Sequence, residues 1–210
     1  MKEPLSLQHW HPPTLEGRLV VLRHHEPGDV AAVRRWYRDP EIGRLTRYQP
    51  QPMTEQEIER FFQARLLAPD ALAYAIVERA ADRLVGFTTF SSLDPDNGSV
   101  LFHITIGERL AWGRGLGTEA TELMLGHAFD RLGLHRVGLT VFDFNPRAIR
   151  AYEKAGFRLE GRSRQAILRD GRYFDELQMG VLREEWLSRR AERGARLGDE
   201  RREPAHSLHT

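Results

Sequence analysis

The chain has no cysteine anywhere in its 210 residues. That excludes disulfides, a thiolate nucleophile and cysteine-based metal sites. An acyl group handled here cannot pass through an acyl-cysteine. Lysine is almost as scarce: all but two of the 31 basic residues, Lys2 and Lys154, are arginine. That bias reads as codon preference in a GC-rich genome, and as a sign of a hot habitat it is weak. Net charge is also small, at +1, which gives no global field to attract nucleic acid or an anionic membrane. The arginines are spread through the chain instead of being gathered beside exposed aromatics. No apolar run approaches the roughly 20 residues that cross a bilayer. The stretch Met1 to Pro13 lacks the hydrophobic core of a signal peptide. No nucleic-acid or membrane partner is expected, and a cytoplasmic location is.

Nine histidines are present, but they fall in no zinc-ligand spacing and in no helical i, i+4 pair, so no metal site is expected. The length suits one well-buried domain. Residues 1–13 read as a loose lead-in and 14–188 as the domain. Residues 189–210 are charged and without apolar periodicity: the early part can extend a helix from Arg183, and the end is expected to be disordered.

Periodicity and turn chemistry order the elements. Arg18 to Arg23 reads as a strand. Asp29 to Arg38 and Thr54 to Leu67 read as helices, the second opened by Thr54 and Glu57 as a capping box. Ala73 to Glu78 and Leu84 to Phe90 form a hairpin, and Asp94 to Gly98 is a turn leading into a strand from Val100 to Ile106. A helix after Thr118, a strand from Arg136 to Phe142 and a helix opened by Asn145 follow. Arg158 to Leu168 and Arg172 to Leu182 then flank Asp170-Gly171, a short hairpin signal. The expected order, β-α-α-β-β-β-α-β-α-β-β, makes an α/β domain with a mixed sheet and helices packed on it.

Between the Val100 strand and the next helix lies Trp112-Gly113-Arg114-Gly115-Leu116-Gly117-Thr118. Its glycines remove the Cβ atoms that would keep a ligand off the backbone. They leave a row of amides at the positive end of a helix dipole, which suits a phosphate or pyrophosphate. Taken alone, such a loop is also an ordinary flexible turn. The second segment is Asn145-Pro146-Arg147-Ala148-Ile149-Arg150-Ala151-Tyr152-Glu153-Lys154-Ala155-Gly156-Phe157. It reads as a helix with Asn145 as N-cap, Pro146 at its first position and Gly156 at its stop.

These two segments, in this order and on these elements, resemble the GNAT superfamily of acyl-CoA-dependent N-acyltransferases. The likeness is greatest to its ribosomal-protein alanine and spermidine acetyltransferases, and it covers about Leu15 to Trp186. The family loop is written Q/R-x-x-G-x-G/A. Trp112, Gly115 and Gly117 occupy its positions, and the tryptophan departs from the pattern. Asn145 to Phe157 resembles the family's N-x-x-(S/A)-x-x-x-Y-x-x-x-G-F. The resemblance implies a mostly antiparallel mixed sheet with helices on both faces and a V-shaped splay between the strands near 100–106 and 136–142. It implies acetyl-CoA as co-substrate. Its pantetheine arm would lie along Ile104, Thr105 and Ile106, and its pyrophosphate on the amides of Gly113, Arg114, Gly115, Leu116, Gly117 and Thr118. Asn145 would reach the arm as well as cap its helix, and Tyr152 would protonate the departing thiolate. A homodimer is a further family trait.

The base that takes the amine proton is left open among Glu108, His103, Asp175 and a water molecule; Glu108 also reads as a free surface residue, and His103, alone in a strand, as a packed one. The acceptor amine is open too: a protein N-terminus, a polyamine or another small amine. Asp39, Glu41, Glu55, Glu57 and Glu59 form an acidic region that suits a cationic amine and equally suits solvated helix faces. Two other functions compete. A nicotinamide-dependent oxidoreductase fits the glycines and Asp143, but Thr118 stands where G-x-G-x-x-G needs its third glycine. A non-catalytic acyl-CoA sensor would keep the loop and have no use for Tyr152.

Overall fold

The computed structural model describes residues 13–68 and 71–200. It is built on one eight-stranded sheet. The strands are β1 (Leu15–Glu16), β2 (Val20–Arg23), β3 (Ala73–Glu78), β4 (Arg83–Asp94), β5 (Ser99–Ile106), β6 (Arg136–Phe142), β7 (Arg158–Arg169) and β8 (Arg172–Leu182). Their spatial order is β1-β2-β3-β4-β5-β6-β8-β7. Every neighbouring pair is antiparallel except β5 with β6, which runs parallel. This is the mixed, mostly antiparallel sheet that the resemblance implied. A doubly wound parallel sheet, which the oxidoreductase reading required, is not what the chain builds.

Helices cover both faces. On one side α1 (Val30–Arg38) and α3 (Glu55–Phe61, continued by a π-helical turn Phe62–Leu67) lie over β3 and β4. Their apolar residues recur at helical spacing, so Ala32, Val33, Trp36, Ile58 and Phe62 pack with Ala73 and Phe87 of the sheet. On the other side lie α4 (Leu116–Gly126, continued by a π-helical turn His127–Arg131) and α5 (Pro146–Ala155). Here Ala120, Met124, Phe129, Tyr152 and Phe157 join Tyr74, Ile76 and Phe102 in the larger core. β3 is buried along its whole length, as a strand covered on both faces must be.

Three features depart from the sequence expectation. A short β1 precedes β2, and a helix α2 (Pro40–Thr46) follows α1. Asp39 caps α2, its carboxylate accepting from the Glu41 N–H at 2.9 Å, and Pro40 fills the first position. The third is the length of the helix expected to begin at Arg183. From Arg183 to Glu200 the chain is one helix, α6, so it is helical well past residue 189. Arginine, alanine, leucine and glutamate are strong helix formers, and the helix is tied down at its start. Trp186 packs against Phe129 at 6.2 Å, Arg190 pairs with Asp130 at 2.5 Å, and Arg189 donates to the Lys154 carbonyl. Most of the lead-in (1–12) and residues 201–210 lie outside the described residues.

Candidate active site

The sheet opens in its middle. β5 and β6 pair only at Ser99↔Arg136, Val100↔Val137 and Leu101↔Gly138. Beyond Leu101, β5 remains bonded to β4 as far as Gly86↔Ile106, and β6 remains bonded to β8 as far as Phe142↔Glu176. The two facing edges diverge, leaving backbone groups of Phe102–Ile106 and Leu139–Phe142 without a strand between them. Such a gap inside a sheet is costly unless something with amide character fills it.

A cavity of about 570 Å³ occupies the gap. Ile104, Thr105 and Ile106 line it, as do Gly113, Gly115, Leu116, Gly117, Thr118, Asn145 and Tyr152. Of the residues expected to hold the cofactor, only Arg114 does not line it. Its side chain turns away to the buried Glu78 carboxylate, which Arg83 also contacts at 3.2 Å. Only the Arg114 backbone amide is left for ligand binding.

The loop's shape follows from its residues. Gly113 and Gly115 sit at φ +73° and +82°, conformations that side-chain-bearing residues rarely adopt. Gly115 is the N-cap of α4, whose first N–H groups have no intrahelical partner. Glu119, the one acidic residue in that first turn, faces elsewhere. Its carboxylate accepts from the N–H groups of Arg18, Leu19 and Val20 at 3.1, 2.6 and 2.8 Å. Trp112, at the position that departs from the family pattern, locks the loop to the strand: its indole N–H donates to the Ile106 carbonyl at 2.7 Å. The Arg147 guanidinium stacks on the indole face at 3.5 Å.

Sequence reasoning missed a feature of the cavity's charge. Arg147, Arg150 and Lys154 of α5 all line it, and no Asp or Glu does. The spacing 147, 150, 154 places them along one helical stripe, so the signal was there to read. Burial lowers the Arg147 pKa from its ordinary value; the nearby Glu41 carboxylate opposes that shift and Arg109 adds to it. The unpaired strand edges, the open glycine loop and a cationic wall free of carboxylates together fit an acyl-coenzyme A, with its amide-rich arm and its phosphates.

Asn145 caps α5, its Oδ1 accepting from the Ala148 N–H at 3.2 Å, while its Nδ2 lies 3.5 Å from the Leu45 carbonyl of α2. Tyr152 is buried edge-on against Phe102 and Phe157. Desolvation pushes its phenol pKa above the ordinary value, so it stays protonated at neutral pH. No other described group hydrogen-bonds its hydroxyl.

The three protein candidates for the base separate clearly. Glu108 is outside the cavity and holds α1 to the end of β5, accepting from Trp36 Nε1 at 3.0 Å and Arg35 at 3.2 Å. Gly107 permits that contact, since a Cβ there would fall 2.1 Å from the Trp36 ring. Asp175 is also outside, bound by Arg162 and the Gln165 N–H, each at 2.8 Å. His103 alone lines the cavity. Its Nε2 is 2.6 Å from Ser91 Oγ, and desolvation, with Arg65 nearby, lowers the imidazole's pKa from its ordinary value. A strand histidine was expected to be packed, but the alternation of β5 puts Phe102 into the core and leaves His103 exposed on the other face.

Four of the five acidic residues of the first helices are likewise spent on structure, and the fifth, Glu41, lies near Arg147. Asp39 caps α2, Glu57 completes the capping box with Thr54, and Glu55 and Glu59 pair with Arg34 at 3.2 and 2.6 Å.

Residues 19–158 match the family described as acetyltransferase (GNAT) domain. The chain belongs to this family, and it is an acyltransferase. It is 29% identical to the L-amino acid N-acetyltransferase AaaT of Escherichia coli, over 76% of this chain and 96% of that one. A GCN5-related N-acetyltransferase from Brucella melitensis superposes with a TM-score of 0.69 at 26% identity, covering 85% of this chain and 82% of that one. The spermidine N-acetyltransferase from Vibrio cholerae, solved in complex with CoA and spermine, gives a TM-score of 0.71 at 24% identity, over 81% and 99% of the two chains. That likeness shows the shared fold. Among the described residues no helix is long and apolar enough to cross a membrane.

Proposed function

We propose that the chain moves an acetyl group from acetyl-CoA to a primary amine by direct attack in a ternary complex, as a cytoplasmic enzyme. The observation that carries this reading is the splayed β5–β6 gap, closed at one end by the glycine loop and walled by cations without a carboxylate. Amides on the open edge of β5 would pair with the pantetheine arm of the co-substrate. The amides of 113–118 would take its pyrophosphate, and Asn145 would meet the arm near the thioester.

The chemistry then divides across the sheet. The amine nitrogen attacks the thioester carbonyl carbon, and strand amides stabilise the oxyanion that forms. His103, on the acceptor face, takes the proton that the amine loses. Tyr152, on the core face, gives its proton to the thiolate as the C–S bond breaks. Phe102 and His103 are adjacent in sequence but point to opposite faces, so acid and base can flank one thioester. Holding both reactants in the gap supplies proximity without a covalent intermediate, as a chain without cysteine requires.

A panel of amines incubated with acetyl-CoA, followed by thiol release and product mass, tests the reading. A mass gain of one acetyl group on an amine supports it. CoA binding with no thiol release from any amine would favour the sensor instead.

A further inference from the structure

Tyr48, in the loop after α2, lines the edge of the cavity beside Thr140 and Phe142. Its ring meets Phe142 edge-on at 5.6 Å. Its hydroxyl donates to the Glu176 carboxylate and lies 3.5 Å from Thr140 Oγ1. Tyr48 is 61% exposed, so these contacts are what hold its ring at the cavity edge. The buried Arg169 steadies the same loop by donating to the Arg47 carbonyl. The walls here are apolar, made by Ile42, Leu45, Leu101 and Phe142.

Two of the carboxylates around this edge face cations, while Asp143 accepts only from the Asp175 N–H, at 3.2 Å. Asp170 faces Arg44 at 3.3 Å, and Asp175 faces Arg162 at 2.8 Å. Glu176 has a neutral hydroxyl as its partner and no cationic partner among the described residues. A polyamine brings several ammonium groups, and each must trade water for a carboxylate or lose affinity. The cavity lining carries no carboxylate of its own: Glu176 stands just behind it and is reached through the lining Tyr48 hydroxyl, while Arg147 and Arg150 add positive charge along its length.

Resting on the acetyltransferase reading above, we infer that the acceptor is a monoamine on an apolar carrier, not a polyamine, and that Glu176, screened by the Tyr48 hydroxyl, holds its ammonium group. The ammonium joins or replaces the Tyr48 hydroxyl at the carboxylate, and the apolar carrier lies against Leu101 and Phe142. Glu176 then sets affinity for the amine, while proton removal falls to His103.

The test compares leucinamide, phenethylamine and spermidine as acceptors with acetyl-CoA, using the full chain. A monoamine should exceed spermidine in kcat/KM by about tenfold or more, the scale of one unmatched buried charge. Glu176→Gln should raise the monoamine KM by about tenfold with little change in kcat or in the KM for acetyl-CoA. Tyr48→Phe, which keeps the ring on Phe142, should also change the amine KM and leave the acetyl-CoA KM alone. It serves as the second variant where Glu176→Gln lowers stability. Brisk turnover with spermidine preferred, or an amine KM unmoved by both substitutions, overturns the inference and leaves the transferase reading standing. No turnover with any amine overturns both.

Discussion

Leu101 and Gly138 form the last pair joining β5 to β6. One residue further along each strand the sheet divides, and the expected co-substrate contacts on β5, Ile104, Thr105 and Ile106, lie on the divided side. The pairing that stops there leaves β5 an open edge from Phe102 onward, beside the start of α4. The position of that last pair therefore sets where a thioester would lie relative to Tyr152 and His103.

Gly113→Ala tests the loop. A Cβ at Gly113 meets no protein atom within 4 Å, so the added methyl stands in open space at the cavity wall. The left-handed backbone there costs a non-glycine residue about 1–2 kcal/mol. CoA affinity measured by calorimetry should fall about tenfold or more, with the protein still folded. Unchanged affinity would remove the loop from the site.

Tyr152→Phe keeps the ring against Phe102 and Phe157 and removes only the hydroxyl with its proton. Turnover should drop by about 10²–10⁴-fold, the usual contribution of a general acid. The dissociation constant of acetyl-CoA should stay near its wild-type value. A variant with wild-type turnover, measured where chemistry limits the rate, would reduce Tyr152 to a packing residue.

The His103 role predicts a pH profile. A base must be neutral, and the imidazole pKa is held below its ordinary value. Activity should fall as pH drops through that lowered pKa, so the acid limb should lie below the usual histidine range. His103→Gln should lower kcat by about 10²-fold or more and abolish that limb. A limb that survives in the variant belongs to another group, such as Asp175 or a bound water.

Much of this was readable in the sequence because the signals are local. The capping box of Thr54 and Glu57, the Asn145–Pro146 helix start and the Asp170–Gly171 turn each depend on a few adjacent residues, and each sits where expected. What escaped depends on partners far apart in sequence. His103 looked like a packed strand residue because its exposure is decided by which face α4 and α5 cover. Glu108 looked free because its partner Trp36 lies 72 residues away. Tyr48 and Glu176 are 128 residues apart, and no spacing rule could have joined them. How far the helix from Arg183 would run was hidden for a related reason, since its anchors Phe129 and Asp130 belong to another element.

The buried His127 gives a stability prediction. Desolvation, with Arg131 nearby, takes its pKa from 6.5 down to about 4, and Tyr74 Oη is 3.4 Å from its Nε2. The unfolded chain therefore binds a proton that the native state refuses between these values, and stability is complete above pH 6.5. It should decline as pH falls from 6.5 to about 4, by about 3 kcal/mol in total. Below that, Asp29, whose carboxylate is lowered by His25 and Arg23, adds a separate loss as it becomes protonated. Urea midpoints across this range should show the first decline in the wild type and a shallower one in His127→Gln. Equal slopes would place the proton elsewhere.

The most direct measurement is initial-rate kinetics with acetyl-CoA and an accepted monoamine both varied, paired with intact mass of the enzyme held with acetyl-CoA alone. The account predicts intersecting double-reciprocal lines, one acetyl group on the amine for each thiol released, and an enzyme mass that does not change. Parallel lines together with a stoichiometric, chemically competent acetyl adduct on the protein would contradict direct transfer across the β5–β6 gap.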